Sequence, residues 1–158
     1  SMRNESSRES CRFQLRRRGN TTHERNEGVP SGKISNIRFT NITCDGENGV
    51  FLSGCEGNHI EDVLFDRVQV TLRRKSKWER GLYDLRPGHD QGIEKITSPG
   101  FLMRRADGIT LRDCRVRFEG EDLSDFGQAV YAYDCKDITL DRFDGKAARE
   151  GFEDVELS

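Results

Sequence analysis

Four stretches of this chain, each of nine residues, superpose on one another without a gap. They cover residues 34–42, 60–68, 106–114 and 135–143. Each has an apolar residue at its fourth position and another at its sixth, and the sixth-position residues are Phe39, Phe65, Leu111 and Leu140. A step of two residues is the alternation of a β-strand, in which one side chain points inward and the next points outward. The repeat therefore predicts strands that stack in register, so that like side chains form columns.

A turn residue precedes each of these strands. The third position of every stretch holds a residue type that tolerates a left-handed backbone, and these residues are Asn36, Asp62, Gly108 and Asp137. A second short apolar run lies before three of the stretches, at residues 49–54, 100–103 and 129–133. Each repeat thus turns several corners and carries more than one strand.

The spacing of the repeat indicates a solenoid. Ile37 and Val63 are 26 residues apart, and Ile109 and Ile138 are 29 residues apart, both within the usual range of solenoid periods. Val63 and Ile109 are 46 residues apart, which indicates one coil with a long loop inserted at residues 71–99.

We predict an all-β fold, a short right-handed, single-stranded parallel β-helix of about four coils. It would occupy residues 34–158. A thin core suits a chain of which only 33% is hydrophobic, because each coil of a solenoid buries its apolar residues against its neighbours. An antiparallel sandwich is the alternative, but it needs tight hairpins between successive runs, and here the runs are separated by corners that recur in register.

Residues 1–33 form a basic N-terminal arm, which we expect to cap the first coil. Residues 6–18 combine helix formers with Cys11, Phe13 and Leu15, and they favour a short helix. The arm has eight basic and four acidic residues, whereas residues 119–158 have four basic and twelve acidic ones. Opposite charges at the two ends favour a homo-oligomer, most simply a dimer.

Composition argues against several partners and locations. A membrane span needs about 20 apolar residues, and no stretch of this chain approaches that length or resembles the apolar core of a signal peptide. The run of Arg16, Arg17 and Arg18 has no aromatic platform beside it, which argues against nucleic acid. Five cysteines without regular spacing indicate a reducing compartment, so we expect a soluble, cytoplasmic protein.

Several phrases of the sequence resemble a known family. The stretch at residues 34–42, the run at residues 48–54 and the stretch at residues 60–65 look like C-terminal coils of bacterial family 28 glycoside hydrolases, the polygalacturonase group. Residues 76–78 followed by residues 83–87 are similar to a loop of some bacterial members. The resemblance extends from about Gly28 to the C-terminus. It implies a pectin-lyase-like β-helix and a bacterial source, so the cytoplasm that we expect for the chain is a bacterial one.

That family hydrolyses galacturonan-type polysaccharides with inversion, using aspartates on an outward-facing sheet and no cofactor. Its motifs Asn-Thr-Asp, Asp-Asp, Gly-His-Gly and Arg-Ile-Lys do not occur here, and the nearest approach is Gly88, His89 and Asp90 in the inserted loop. The resemblance therefore implies a truncated relative that associates with polysaccharide, by binding or hydrolysis, without the catalysis of the family. Whether the chain is an enzyme stays open.

The inserted loop carries the candidate active-site and substrate-binding residues. Asp84, His89 and Asp90 lie close in sequence, and a histidine beside an aspartate can serve as general acid or base. Holding the loop against the coil is the simpler role for these residues and for Arg86, and we favour it. For substrate binding, rings stack on sugars and cations pair with acidic groups, which gives the set Trp78, Tyr83, Arg86 and Lys77.

A zinc site is the basis of the alternative function. Cys55 and His59 stand on an exposed corner, and a thiolate and an imidazole are ligands that zinc prefers. His23 and Cys11 are the candidates to complete the set, as are the acidic and histidine residues of the loop. Such a site would make the chain a small zinc-dependent hydrolase of an ester, phosphoester or peptide. Surface residues without a metal are the favoured interpretation of this pair.

Three other cysteines fall on inward positions of the repeat. Cys44 aligns with Val70 and Val116, whereas Cys114 and Cys135 align with apolar residues of the earlier stretches. Buried free cysteine packs as a small hydrophobic residue, so we predict that all three are core residues rather than metal ligands.

Overall fold

The computed structural model describes residues 14–16, 32–88 and 91–158. Within these ranges the chain is all-β, and no helix is present that could cross a membrane. The strands are β1 (Gln14–Arg16), β2 (Ser35–Gly46), β3 (Val50–Ser53), β4 (Ile60–Arg73), β5 (Leu82–Gly88), β6 (Gln91–Lys95), β7 (Phe101–Arg104), β8 (Ala106–Arg112), β9 (Arg115–Glu119), β10 (Val130–Tyr133), β11 (Lys136–Asp141), β12 (Asp144–Gly145) and β13 (Val155–Leu157).

Most of these strands belong to two parallel sheets. A five-stranded sheet has the order β1-β3-β7-β10-β13. In a six-stranded sheet, β4 pairs with β2 on one side and with β8 and β9 on the other, while β11 and β12 continue from β8 and β9. The chain visits the two sheets alternately. Parallel pairing throughout both sheets excludes the antiparallel sandwich.

The predicted columns are present in the six-stranded sheet. Phe39 pairs in register with Phe65, Phe65 with Leu111, and Leu111 with Leu140. The rings of Phe39 and Phe65 stack with centroids 5.0 Å apart and planes 15° apart. Phe65 and Leu111 are almost fully buried, at 1% and 0% exposure. These columns form the main apolar core, together with inward residues of the five-stranded sheet.

The predicted corners are confirmed by the backbone. The residues expected to be left-handed have positive φ angles: Asn36 59°, Asp62 52°, Gly108 66° and Asp137 55°. A second set of left-handed residues was not predicted, and it consists of Asn41, Asp113 and the arginines Arg67 and Arg142. Arg67 lies where β4 passes from its pairing with β8 to its pairing with β9. This second corner bends the long strand β4 between its two pairing partners.

The predicted packing of the three cysteines against the core is also confirmed. Cys44 pairs in register with Val70, Val70 pairs with Val116, and all three are buried. Cys114 is 1% exposed, and its thiol donates a hydrogen bond to the Phe65 carbonyl at 3.3 Å. Cys135 is half-buried against the same core. Burial raises the pKa of both the Cys114 and the Cys135 thiol.

The N-terminal helix prediction is wrong where it can be compared. Gln14–Arg16 is strand β1, which adds to the edge of β3 in parallel. Helix propensity is a weak preference, and an open strand edge offers backbone partners that override it. The rest of the predicted helix lies outside the described residues.

The inserted loop is shorter than predicted and has its own strands. Strand β4 continues to Arg73, and the chain rejoins the sheets at Ser98, which bridges to Phe126. Between them β5 and β6 form an antiparallel hairpin. Tyr83 and Ile96 pack against Phe51, Leu102 and Tyr131 on the outer face of the five-stranded sheet. The hairpin is therefore fixed to the outside of that sheet.

Candidate functional site

The outer face of the five-stranded sheet carries aromatic and cationic side chains beside the hairpin. Val50 and Phe101 point inward to the main core. Because side chains alternate along a strand, the residues next to them in their strands point outward. One outward column runs from Ser53 through Arg104 to Tyr133. The hairpin covers Phe51 and Leu102, but Tyr133 remains 43% exposed.

Arg104 links the exposed tyrosine to the hairpin. Its guanidinium lies 5.9 Å from the centre of the Tyr133 ring, within cation–π range. Its Nη1 also donates to Glu94 Oε2 of β6 at 2.5 Å. The guanidinium is therefore held in a defined position over one ring. We call Tyr131, Tyr133 and Arg104 the tyrosine strip.

The structure separates the four predicted substrate-binding residues. Trp78 is 55% exposed and Lys77 is also exposed, as a binding role requires. Tyr83 is only 5% exposed, because its ring packs edge-on against Phe51 with centroids 5.0 Å apart. The Tyr83 ring therefore offers little surface on which a sugar could stack, and its role in substrate binding stays a prediction. Arg86 belongs to β5, and its side chain lies outside the described part.

The turn that carries Lys77 and Trp78 is held by the half-buried carboxylate of Glu47. Glu47 Oε1 accepts hydrogen bonds from the backbone N–H groups of Lys75 and Ser76, both at 2.5 Å, and from Arg80 Nη2 at 2.6 Å. The same Arg80 nitrogen donates to the Ser76 carbonyl at 2.8 Å. The Arg80 side chain is 7% exposed. A charged pair with several donors at this depth fixes the turn firmly to the sheet.

Sequence analysis missed this Glu47–Arg80 pair. The two residues are 33 positions apart, and neither belongs to a recognisable motif. Only their places in the chain could have indicated the pair: Glu47 directly follows β2, and Arg80 lies just before β5 of the hairpin. The loop prediction assigned the fixing role to Asp84, Arg86, His89 and Asp90 instead. Of these, His89 and Asp90 lie outside the described residues, while Asp84 stands opposite Ile93 in the hairpin and is half-buried.

His59 is the most strongly positioned of the predicted metal ligands. Its Nδ1 lies 3.0 Å from Asp107 Oδ2, and its Nε2 lies 3.9 Å from Asp134 Oδ2. The side chain is 19% exposed. Asp134 also lies 3.5 Å from Arg105 Nε. The exposed corner of His59 was predicted from the sequence, but its contacts with Asp107 and Asp134 were not.

Cys55 lies in a tight turn before His59. Its backbone N–H and carbonyl both pair with Asn58, at 3.2 Å and 3.0 Å. In the part of the chain that is described, no group of three or more His, Cys, Asp and Glu side chains is arranged to hold a metal. His23 and Cys11 lie outside that part. The zinc set of Cys55, His59, His23 and Cys11 therefore stays a prediction.

Ion pairs connect successive repeats on the outer faces of the six-stranded sheet. Asp66 accepts from Arg112, Asp113 from Arg142, and Asp144 from Arg117. In each case the hydrogen bond from the arginine is the main reason that the pKa of the carboxyl lies below its ordinary value. The partners come from neighbouring repeats, so these pairs favour the observed register over shifted ones.

No family model, curated protein or solved structure matches this chain.

Proposed function

We propose that the two parallel sheets are walls of a short right-handed parallel β-helix, and that the chain is a polygalacturonase-like module that binds acidic, galacturonan-type polysaccharide without hydrolysing it. The observation that carries the proposal is the tyrosine strip, an exposed ring held beside a fixed guanidinium on the outer face of a parallel sheet. In the family that the sequence resembles, this kind of face receives the substrate.

The chemistry of the strip suits a uronic acid polymer. An exposed ring can lie against the apolar face of a sugar, and it loses little conformational entropy in doing so. A guanidinium matches a carboxylate in a bidentate geometry. Lys77 and Trp78 extend the same combination of cation and ring onto the loop, which the Glu47–Arg80 pair holds in place.

The carboxylates near the strip suit binding better than hydrolysis. Inverting glycoside hydrolysis requires two carboxyl groups about 6.5–9.5 Å apart, one of them a proton donor and the other a base. Glu94 is paired with Arg104, and Glu156 accepts from Gln128 Nε2 at 2.5 Å. Both carboxylates are therefore engaged with neighbours.

Titration with galacturonic acid oligomers tests the proposal. We expect binding that is seen as shifts in backbone amide resonances of β7 and β10, and no binding of neutral glucan oligomers. Tyr133→Ala and Arg104→Gln should each weaken the affinity about tenfold or more, the effect of a lost ring or charged contact. Arg117→Gln is the matched control, because Arg117 is an exposed arginine of the six-stranded sheet. No binding at millimolar oligomer, or equal binding by all three variants, would reject the proposal.

A small zinc-dependent hydrolase is the second candidate, and the contact between His59 and Asp107 favours it. A carboxylate on one ring nitrogen is the arrangement that commonly orients a zinc-binding histidine. Metal analysis of protein purified without chelators tests this candidate. Stoichiometric zinc that is lost in both His59→Ala and Cys55→Ala would support it, whereas a metal-free protein that takes up no added zinc would remove it.

A further inference from the structure

At the end of the stack that the C-terminal strands form, the five-stranded sheet extends one strand further than the six-stranded sheet. After β10 the chain forms β11 and β12 in the six-stranded sheet and then returns to the five-stranded sheet as β13. Strand β13 pairs with β10, so the five-stranded sheet gains one more strand. Among the described residues, no strand pairs with the outer edge of β11. The six-stranded sheet therefore ends at β11, one strand short of the level that β13 reaches in the five-stranded sheet. We call this difference in level the step.

The step is partly apolar and has room for a side chain. A cavity of about 240 Å³ lies there, and its lining residues are Ala132, Cys135, Asp137, Ile138, Leu157 and Ser158. Ile138 and Leu140 are only partly buried, whereas Ile109 and Leu111 at the same column positions are 0% exposed. Leu157 is 58% exposed. The columns would gain burial if one more strand were added above β11.

The charge around the step is acidic. Asp134 and Asp137 are exposed there. The C-terminal part of the chain to which the step belongs, residues 119–158, has twelve acidic and four basic residues. A strand that binds here is therefore favoured if its outward side chains are basic.

We propose that the step binds one extended polypeptide strand, which adds in parallel to the outer edge of β11. The unpaired backbone groups of β11 would supply the hydrogen bonds, as in other cases of strand addition. The repeat specifies the side chains of the partner. Apolar residues are needed above Ile138 and Leu140, because those columns continue inward, and basic residues are needed on the outward positions near Asp134 and Asp137.

A peptide with the sequence of residues 33–42 of this chain is a suitable probe. It has Ile37 and Phe39 at the inward positions, it carries the cations Lys33 and Arg38, and it has no acidic residue. In the protein the same stretch already pairs in parallel with β4. Added to the isotope-labelled full chain, the peptide should shift amide resonances of β11 and β13 and leave those of β8 and β9 unchanged.

Variants separate strand addition from adhesion by charge. A peptide with Ile37→Asp and Phe39→Asp should not bind, because the apolar contacts are worth at least about a hundredfold in affinity. In the protein, Asp137→Asn should weaken binding about two- to fivefold at low salt. Asp62→Asn is the matched control, since Asp62 has the same position in an inner repeat and is also left-handed, and it should change nothing.

Results of three kinds would overturn the proposal. One is the absence of shifts at millimolar peptide. Another is a set of shifts outside β11 and β13, or an equal effect of Asp62→Asn and Asp137→Asn. The third is an oligomer in sedimentation whose interface includes β11 and which the peptide does not disperse, because a second copy would then be the occupant.

Discussion

Residues at the same position of the repeat have different surroundings in the middle of the molecule and at its ends. Phe65 and Leu111 have a column neighbour on both sides and are 1% and 0% exposed. Phe39 and Leu140 occupy the same column at its two ends and are only partly buried. In a stack where each strand contacts only its neighbours, a side chain contributes in proportion to the neighbours it has. Position along the stack should therefore determine the cost of a substitution more than residue type does.

The largest expected effect comes from the middle of the column. Leu111→Ala should reduce the free energy of unfolding by about 3–4 kcal/mol, since it removes a fully buried side chain and leaves a cavity. Leu140→Ala should cost about 1–2 kcal/mol, because solvent already reaches one side of Leu140. Urea denaturation followed by circular dichroism measures both. Equal losses of stability would mean that Leu140, at the end of the column, is shielded from solvent to the same extent as Leu111 in its middle.

The next largest effect is expected when a shielded ion pair is compared with an exposed one. Glu47→Gln should cost about 2 kcal/mol, because it leaves the buried Arg80 charge without its carboxylate. Glu79→Gln removes an exposed pair with Lys95 and should cost less than about 0.5 kcal/mol. Amide hydrogen exchange should also speed up in β5 and β6 for the first variant only. Unchanged exchange in Glu47→Gln would show that Tyr83 and Ile96 alone hold the hairpin.

Acid should weaken the connections between repeats. The pKa values of Asp66, Asp113 and Asp144 are lowered in the folded protein, so these carboxylates bind protons less readily than in the unfolded chain. Their contribution to stability is present above the ordinary carboxyl value of about 4 and is lost as the pH falls below it. Unfolding midpoints in urea should therefore decline between about pH 5 and pH 2.5.

A variant tests that cause directly. Asp113→Asn should lower stability at neutral pH and make the decline in acid shallower, because one of the shifted groups is gone. Arg142→Gln should do the same by removing the partner of Asp113. A decline of unchanged steepness in both variants would assign the acid sensitivity to other carboxylates.

The smallest expected effect is a difference in thiol reactivity. Cys114 lies in the middle of the core and Cys135 lies at the step, partly exposed. Burial raises the pKa of both thiols, so little reactive thiolate forms on either at neutral pH. Cys135 should nevertheless react faster with a thiol reagent, as measured by mass spectrometry of peptides. Faster labelling of Cys114 would indicate that the middle opens before the end does.

Features that follow from the period of the repeat could be predicted from the sequence. The column of Phe39, Phe65, Leu111 and Leu140 and the left-handed corners at Asn36, Asp62, Gly108 and Asp137 are of this kind, since each depends on local residue type. The inward cysteines followed from the same alignment.

Features that depend on contacts between distant segments could not be predicted. Arg67 and Arg142 adopt a left-handed backbone although arginine has no preference for it, because the stack bends there in every repeat. Tyr83 is buried by an outer face whose apolar character was not visible in any motif. In the tyrosine strip, Tyr133 could have been found, since it shares its strand and its outward direction with Tyr131.

The inserted segment departs from the parallel sheets after Arg73 and contacts the stack again at Ser98. Val63 and Ile109, on either side of it in sequence, nevertheless remain direct neighbours in register. The loop thus packs on the two parallel sheets, which serve as its scaffold, without contributing a strand to either of them. Such an arrangement lets a lineage lengthen, shorten or replace the loop while the scaffold beneath keeps the same sequence requirements. The loop and the foldability of the scaffold can then change independently, and diversity among related chains is expected to concentrate in residues 74–98.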